Sequence, residues 1–220
     1  MRAMSASRKL QGGVILLGAL IVSSIGGWAH RAAADEHPSS TAPALLGELR
    51  TLSQQLESVR GELAVARLQL DRANAVIEFS GHYLVPADLA EAINDIALAE
   101  GIEPGLAFRL VRVESRFDLR ARSSAGALGL TQILPSTARL YEPGLSNEQL
   151  YDRGTNLRLG FRYLHDLLER YDNDLEHALL AYNRGPAKVQ ELLNAGMDPR
   201  NGYSRSVMKG YRRQPPPAAE

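Results

Sequence analysis

Glu114 is the residue of this chain whose surroundings best suit chemistry. Pro104 is followed by apolar residues at 106, 107, 110, 111, 113 and 117. That spacing predicts a helix starting just after the proline, with Glu114 on or at the edge of its apolar face. Leu110, Val111 and Phe117 lie one turn away and would withdraw water from the carboxylate, penalise its charged form and raise its pKa. A carboxyl group still protonated near neutral pH can act as a general acid. Periodicity alone favours a plainer reading, in which Glu114 is solvated or paired with Arg112 or Arg116.

The residues that follow change that balance. In order along the chain come Glu-Ser-x-Phe at 114–117, Ala121-x-Ser123, Gly126-Ala-Leu-Gly129-Leu-Thr-Gln132, Leu134-Pro135-Ser-Thr137-Ala138, Asn156 to Gly160, and Ala181-Tyr-Asn-Arg-Gly185-Pro186. Any one of these motifs is weak, but their joint order and spacing over roughly residues 82–211 resemble the catalytic domain of the soluble lytic transglycosylases. These are lysozyme-like proteins that cleave the glycan strands of peptidoglycan. The resemblance implies an all-α fold of the goose-type lysozyme kind, with Glu114 as the catalytic acid. It also implies Ser115, Ser123, Gln132, Tyr182, Asn183 and Tyr203 as the residues facing substrate or acid, and no metal or other cofactor.

Each of those residue types has a chemical reason to be there and a structural alternative. Amides and hydroxyls such as Gln132 and Ser123 can donate to and accept from sugar hydroxyls and acetamido groups, while loop capping would explain Ser123 equally well. Tyr182 followed by Asn183 at a bend can stack on a sugar and hydrogen-bond it, or the ring can be core. The Tyr203 phenol could orient the acid, or pack. The sequence departs from many family members at Asp118-Leu119, where they carry Asn-Pro, and at Thr131 and Leu134, where they carry methionine.

A glycosidase of the usual kind needs two carboxylates, roughly 5 to 9.5 Å apart depending on stereochemistry. Asp118 and Asp152 are the candidates for a second one, and neither carries a supporting motif. One acid suffices where the substrate supplies its own nucleophile. The resemblance implies this route: the bond between N-acetylmuramic acid and N-acetylglucosamine is cut, and the muramic 6-hydroxyl closes on C1 to leave a 1,6-anhydro end. Two alternatives stand beside it, a goose-type hydrolytic muramidase and a non-catalytic protein that grips glycan during envelope assembly.

The elements that would hold this site follow from the rest of the pattern. Pro86-x-Asp88 opens a helix through Leu89, Ile93 and Ala97, ending before Gly101. Another is expected to begin at Asn156, with Leu157, Phe161, Leu164, Leu168 and Tyr171 on one face and Gly160 beside it, where a second helix could approach. A shorter one runs through Leu175, Ala178, Leu179 and Tyr182 to a Gly185-Pro186 stop. A helix bearing Val189, Leu192 and Leu193 and ending at Gly196, and a last one opened by Asn201-Gly-Tyr203 with Val207 and Tyr211 on its face, complete the domain. His165 has no companion at metal-ligand spacing and reads as a surface histidine.

Upstream, residues 1–29 place Arg2, Arg8 and Lys9 before an uncharged apolar run from Leu10 to Ala29, the pattern of an export signal or an N-terminal membrane anchor. That predicts a location outside the cytoplasm, in the periplasm or cell envelope. Residues 30–43 read as a linker and 212–220 as a disordered tail. Between them, 44–80 carries apolar residues at 45, 49, 52, 56, 59, 63, 66, 70, 73 and 77, steps of four and three that predict a coiled coil. Its partner is a second copy or an envelope protein, and the alternative is a helix folded back on the catalytic domain. At 1.5 Å per residue it would be roughly 50 Å long, closing at Ser80-Gly81.

Composition excludes other classes. The 220 residues have zero formal net charge, and splitting at residue 80 gives Lys+Arg 8 against Asp+Glu 7 before it and 17 against 18 after it. Neither part is a basic body for nucleic acid. Cysteine is absent, which removes disulfides, thiolate metal sites and a thiol nucleophile.

Overall fold

A computed structural model describes residues 41–211. The apolar run of 1–29, most of the linker and the tail 212–220 lie outside them. The described elements are α1 (Thr41–Tyr83), α2 (Ala87–Ala99), α3 (Pro104–Ser115), α4 (Pro135–Tyr141), a 3-10 turn (Glu148–Tyr151), α5 (Arg153–Arg170), α6 (Leu175–Arg184), α7 (Pro186–Asn194) and α8 (Tyr203–Met208). The described residues hold no β-strand, only isolated bridges joining Arg122, Leu128 and Ile133. The fold is all-α, as expected.

The chain divides into two units at Val59 and Arg60. In the described part of the first, Leu45, Leu49, Leu52, Leu56 and Val59 are all exposed. In the second, Leu63, Leu70 and Ile77 of α1 are likewise exposed. Among the described residues, no helix is long and apolar enough to cross a membrane.

α1 does not end at Ser80-Gly81; it runs to Tyr83. Gly81 weakens a helix by about 1 kcal/mol, but the flanking aromatics offset that. Phe79 stacks on Phe108 of α3 with centroids 4.3 Å apart, and Tyr83 lies 5.3 Å from the same ring. Val76 and Phe79 are partly buried against the main core, so the packed domain begins before His82. The helix stops where Leu84 turns left-handed (φ 55°) ahead of Val85-Pro86, residues whose proline disfavours further helix.

That core is built from α2, α3, α5 and α6. Ile93, Ala97, Phe108, Leu110, Val111, Leu157, Phe161, Leu164 and Leu179 form one buried cluster, closed by Val207 of α8. A second cluster, around Leu128, Ile133, Leu150 and Leu159, fixes the long loop between α3 and α4. α5 begins at Arg153, three residues before Asn156, because the Asp152 carboxylate accepts from the Thr155 amide at 2.8 Å and caps it. It ends at Arg170, one residue short of Tyr171, and α8 ends at Met208, short of Tyr211, whose amide donates to the Met208 carbonyl in the turn that follows. α4 was not anticipated, although Pro135 at its first turn is a start signal. Pro186 likewise both stops α6 and opens α7.

Candidate active site

α3 delivers Glu114 to a cleft. Pro104 at its first turn fixes φ for a helix start, and Leu106, Ala107, Phe108, Leu110 and Val111 bury one face. The helix ends at Ser115 rather than running on to Phe117. Arg116 (φ 53°) and Phe117 (φ 67°) are consecutive left-handed residues, and Ser115 holds the turn: its Oγ donates to the Val111 carbonyl and accepts from the Phe117 amide. Left-handed non-glycine residues each cost of order 1 kcal/mol, and such strain concentrates at functional sites. Here it turns the chain sharply two residues past Glu114.

The cleft encloses about 430 Å³, and Glu114 is the sole carboxylate among its lining residues. Burial raises the Glu114 pKa from its ordinary 4.5 to about 7, against a smaller opposing effect of the hydrogen bond from the Tyr203 phenol to Oε1. Burial also raises the Tyr203 phenol well above its usual range, so it stays a donor. With Oε1 taken, Oε2 is the oxygen left to carry the proton. Asp118 and Asp152 are spent elsewhere: one accepts from the Arg120 amide, the other caps α5.

One wall is the 121–134 loop. Ser123 lines the cleft while its Oγ accepts from the Ala127 amide, and its own amide donates to the Ala127 carbonyl. Gln132 also lines it, in a left-handed conformation (φ 49°), with Nε2 donating to the carbonyls of Ala121 and Gly129. That leaves Oε1 of Gln132 as its open acceptor. A second wall is the end of α6. Tyr182 is partly buried, its phenol donates to the Thr131 carbonyl at 2.9 Å, and its ring lies 5.3 Å from that of Tyr163. What Tyr182 presents is therefore ring surface, with its hydroxyl already engaged. Asn183 is exposed and lines the cleft; its Oδ1 accepts from Asn201, which leaves its Nδ2 as the donor.

The structure thus brings Glu114, Ser123, Gln132, Tyr182 and Asn183 around one space, with Tyr203 behind the acid. It does not bring Ser115 there. That side chain is buried, both its hydrogen bonds lie within the α3 terminus, and it is absent from the lining. Tyr163, Leu134, Thr137 and Arg184 also line the cleft. Tyr163 had a signal in the sequence: it stands three residues beyond Gly160, on the helix face a glycine leaves open.

Gly160 admits a loop rather than a second helix. A Cβ there would lie 2.3 Å from Oγ1 of Thr131. Thr131 is fully buried, and both its amide and its hydroxyl donate to Oδ1 of Asn156 at 2.8 Å. Asn156 Nδ2 donates in turn to the carbonyls of Leu128 and Leu150. Gly129 is required on the far side, because a Cβ there would meet Asn156 Nδ2 at 2.3 Å. Thr131, one of the departures from the resembling family, therefore works in the packing behind the wall. Leu134, another of them, lines the cleft itself.

Residues 91–200, half of the chain, match the family described as Transglycosylase SLT domain. The chain is 35% identical over 98 residues to a soluble lytic murein transglycosylase of Escherichia coli (strain K12), covering 42% of this chain and 15% of that one. It is 36% identical over 95 residues to a transglycosylase of Enterobacteria phage PRD1, covering 43% and 34% respectively. Among solved structures, the 70 kDa soluble lytic transglycosylase of Escherichia coli superposes with a TM-score of 0.49 at 28% identity, over 59% of this chain and 24% of that one. The chain matches only about 15% of the length of the Escherichia coli relative.

Proposed function

Since this chain belongs to the Transglycosylase SLT domain family, we propose that it is a peptidoglycan lytic transglycosylase. It cuts the β-1,4 bond between N-acetylmuramic acid and N-acetylglucosamine and leaves 1,6-anhydromuramic ends. The observation that carries this reading is a single, largely but not fully buried carboxyl group, raised to about 7, in a cleft whose lining holds no second carboxylate.

The chemistry follows from that arrangement. Glu114 protonates the glycosidic oxygen as its bond to C1 of the muramic sugar breaks, a positioned general acid in a partly water-excluded site. The N-acetyl group of the same sugar assists at C1. The muramic 6-hydroxyl then bonds to C1, and its proton passes to the Glu114 carboxylate, restoring the acid. No water is consumed. Tyr203 keeps Oε1 occupied and the carboxyl oriented, the ring of Tyr182 supplies a stacking surface, and Gln132 and Asn183 supply an acceptor and a donor.

Product mass from purified peptidoglycan tests the assignment. Anhydro ends, one water lighter than reducing ends, are expected; reducing ends alone would mark a hydrolytic muramidase. Glu114→Gln is expected to lose turnover, and an unimpaired variant would move the acid elsewhere.

The remaining parts of the reading concern placement. The basic and apolar N-terminal segment supports export, with the domain acting at the cell envelope and either released or held at the inner membrane. The exposed heptad face of α1 supports pairing with a second copy or an envelope protein through residues 45–77.

A further inference from the structure

Arg184 is the last residue of α6 and the one cation among the residues lining the cleft. Its place is fixed on both sides. Gly185 follows with φ 82°, and Pro186, which lacks an N–H, starts α7 at once. The side chain is pinned as well: Nη1 donates to the Pro199 carbonyl at 2.8 Å. That carbonyl belongs to a turn clamped by its neighbours, since the Asp198 carboxylate accepts from both the amide and Nε of Arg200. The nearby negative charge of Asp198 is thus spent on Arg200, whose bonds hold the Asp198 carboxyl down at about 2. Arg184 has no carboxylate partner among the described residues. Nor does it set the proton affinity of Glu114, which is governed by burial and Tyr203.

A guanidinium has five donors in a fixed fork that matches a carboxylate. Here one corner is used to hold the group still, and Nε and Nη2 have no partner among the described residues. The rest of the cleft offers hydroxyls, amides and rings, which suit neutral sugars. A pinned arginine at its edge calls for an anion.

We propose that Arg184 is a specificity-determining residue that binds a carboxylate carried by the muramic sugar of the strand. This rests on the reading of the cleft as a peptidoglycan site. Two sources carry that chemistry: the lactyl group itself where the peptide has been removed, and the peptide's own carboxylates where it remains attached and the lactyl carboxyl is an amide.

Three glycan preparations separate the possibilities: strands with peptides, strands stripped of peptides, and stripped strands whose lactyl carboxyls are converted to methylamides. Full-length protein and Arg184→Gln are compared on each, by KM and kcat and by co-sedimentation binding. Glutamine keeps a donor for the Pro199 carbonyl and loses the charge. Loss of a charge-assisted pair predicts KM and the dissociation constant raised about tenfold on a carboxylate-bearing strand, relative to the ratio on the methylamide. An effect only with peptides present assigns the peptide carboxylates, and one only after stripping assigns the lactyl group. Arg184→Lys, which keeps the charge, is expected to recover part of the binding. A variant-to-parent ratio that is the same on all three strands overturns the proposal. Should the parent protein bind strands without cutting them, the transglycosylase reading fails while the binding ratios still decide the role of Arg184.

Discussion

The Tyr203 phenol donates to Oε1 of Glu114, tying the first residue of α8 to the end of α3 across 89 positions of sequence. This bond favours the charged carboxylate and so opposes burial. Tyr203→Phe should therefore raise the Glu114 pKa further and move the basic limb of the kcat/KM profile upward by about one to two pH units, since a hydrogen bond to a charged group is worth about 1.5–3 kcal/mol. Turnover should fall as the carboxyl loses its orientation. An unmoved limb would show that the phenol is only packing.

The same group links acidity to stability. The Glu114 pKa is about 7 in the folded protein against an ordinary 4.5, so between those values the folded state holds more proton than the unfolded one. Its contribution is full below pH 4.5 and is lost as pH rises through about 7. At about 1.4 kcal/mol per pKa unit, reduced for partial exposure, Glu114→Gln should be more stable than the parent by about 2–3 kcal/mol above pH 7, and no more stable near pH 4. Urea midpoints at the two pH values check it.

Much of this site was legible in the sequence, and the reason is local. Pro104 and the apolar face after it specify α3 and the position of Glu114 without reference to distant residues, and Gly185-Pro186 marks the end of the helix carrying Tyr182. What was not legible depends on which backbone atoms a side chain meets. Ser115 stands beside the acid in sequence, yet the left-handed turn at Arg116 consumes its hydroxyl. The phenol of Tyr182 is taken by a carbonyl 51 positions away. Gly81 looked like a helix end because nothing in the pattern revealed that Phe79 and Tyr83 would meet Phe108.

The network behind the loop wall should be costly to disturb. Asn156→Ala would leave the Thr131 amide and hydroxyl and the carbonyls of Leu128 and Leu150 buried without this partner. A loss of at least about 3 kcal/mol is expected. Gly160→Ala forces a methyl against Thr131 and should cost about 1–3 kcal/mol by overpacking. Chemical denaturation measures both, and a neutral Gly160→Ala would contradict the close approach of the loop to α5.

Pairing through α1 is expected to depend on Leu56 and Leu63, both exposed on the heptad face. Replacing each by glutamate should shift the sedimenting species toward monomer while leaving the catalytic domain folded. Deleting residues 44–80 is a poorer test, because it removes Phe79 from Phe108. A species of unchanged mass would count against self-association.

The proposed catalysis turns on one carboxyl group that is still substantially protonated at neutral pH. Carbon-13 NMR titration of the glutamate carboxyls, with Glu114→Gln identifying the resonance, measures this directly. An inflection near 7 is predicted. Titration of that carboxyl at the ordinary value of a solvated glutamate, about 4.5, would contradict it.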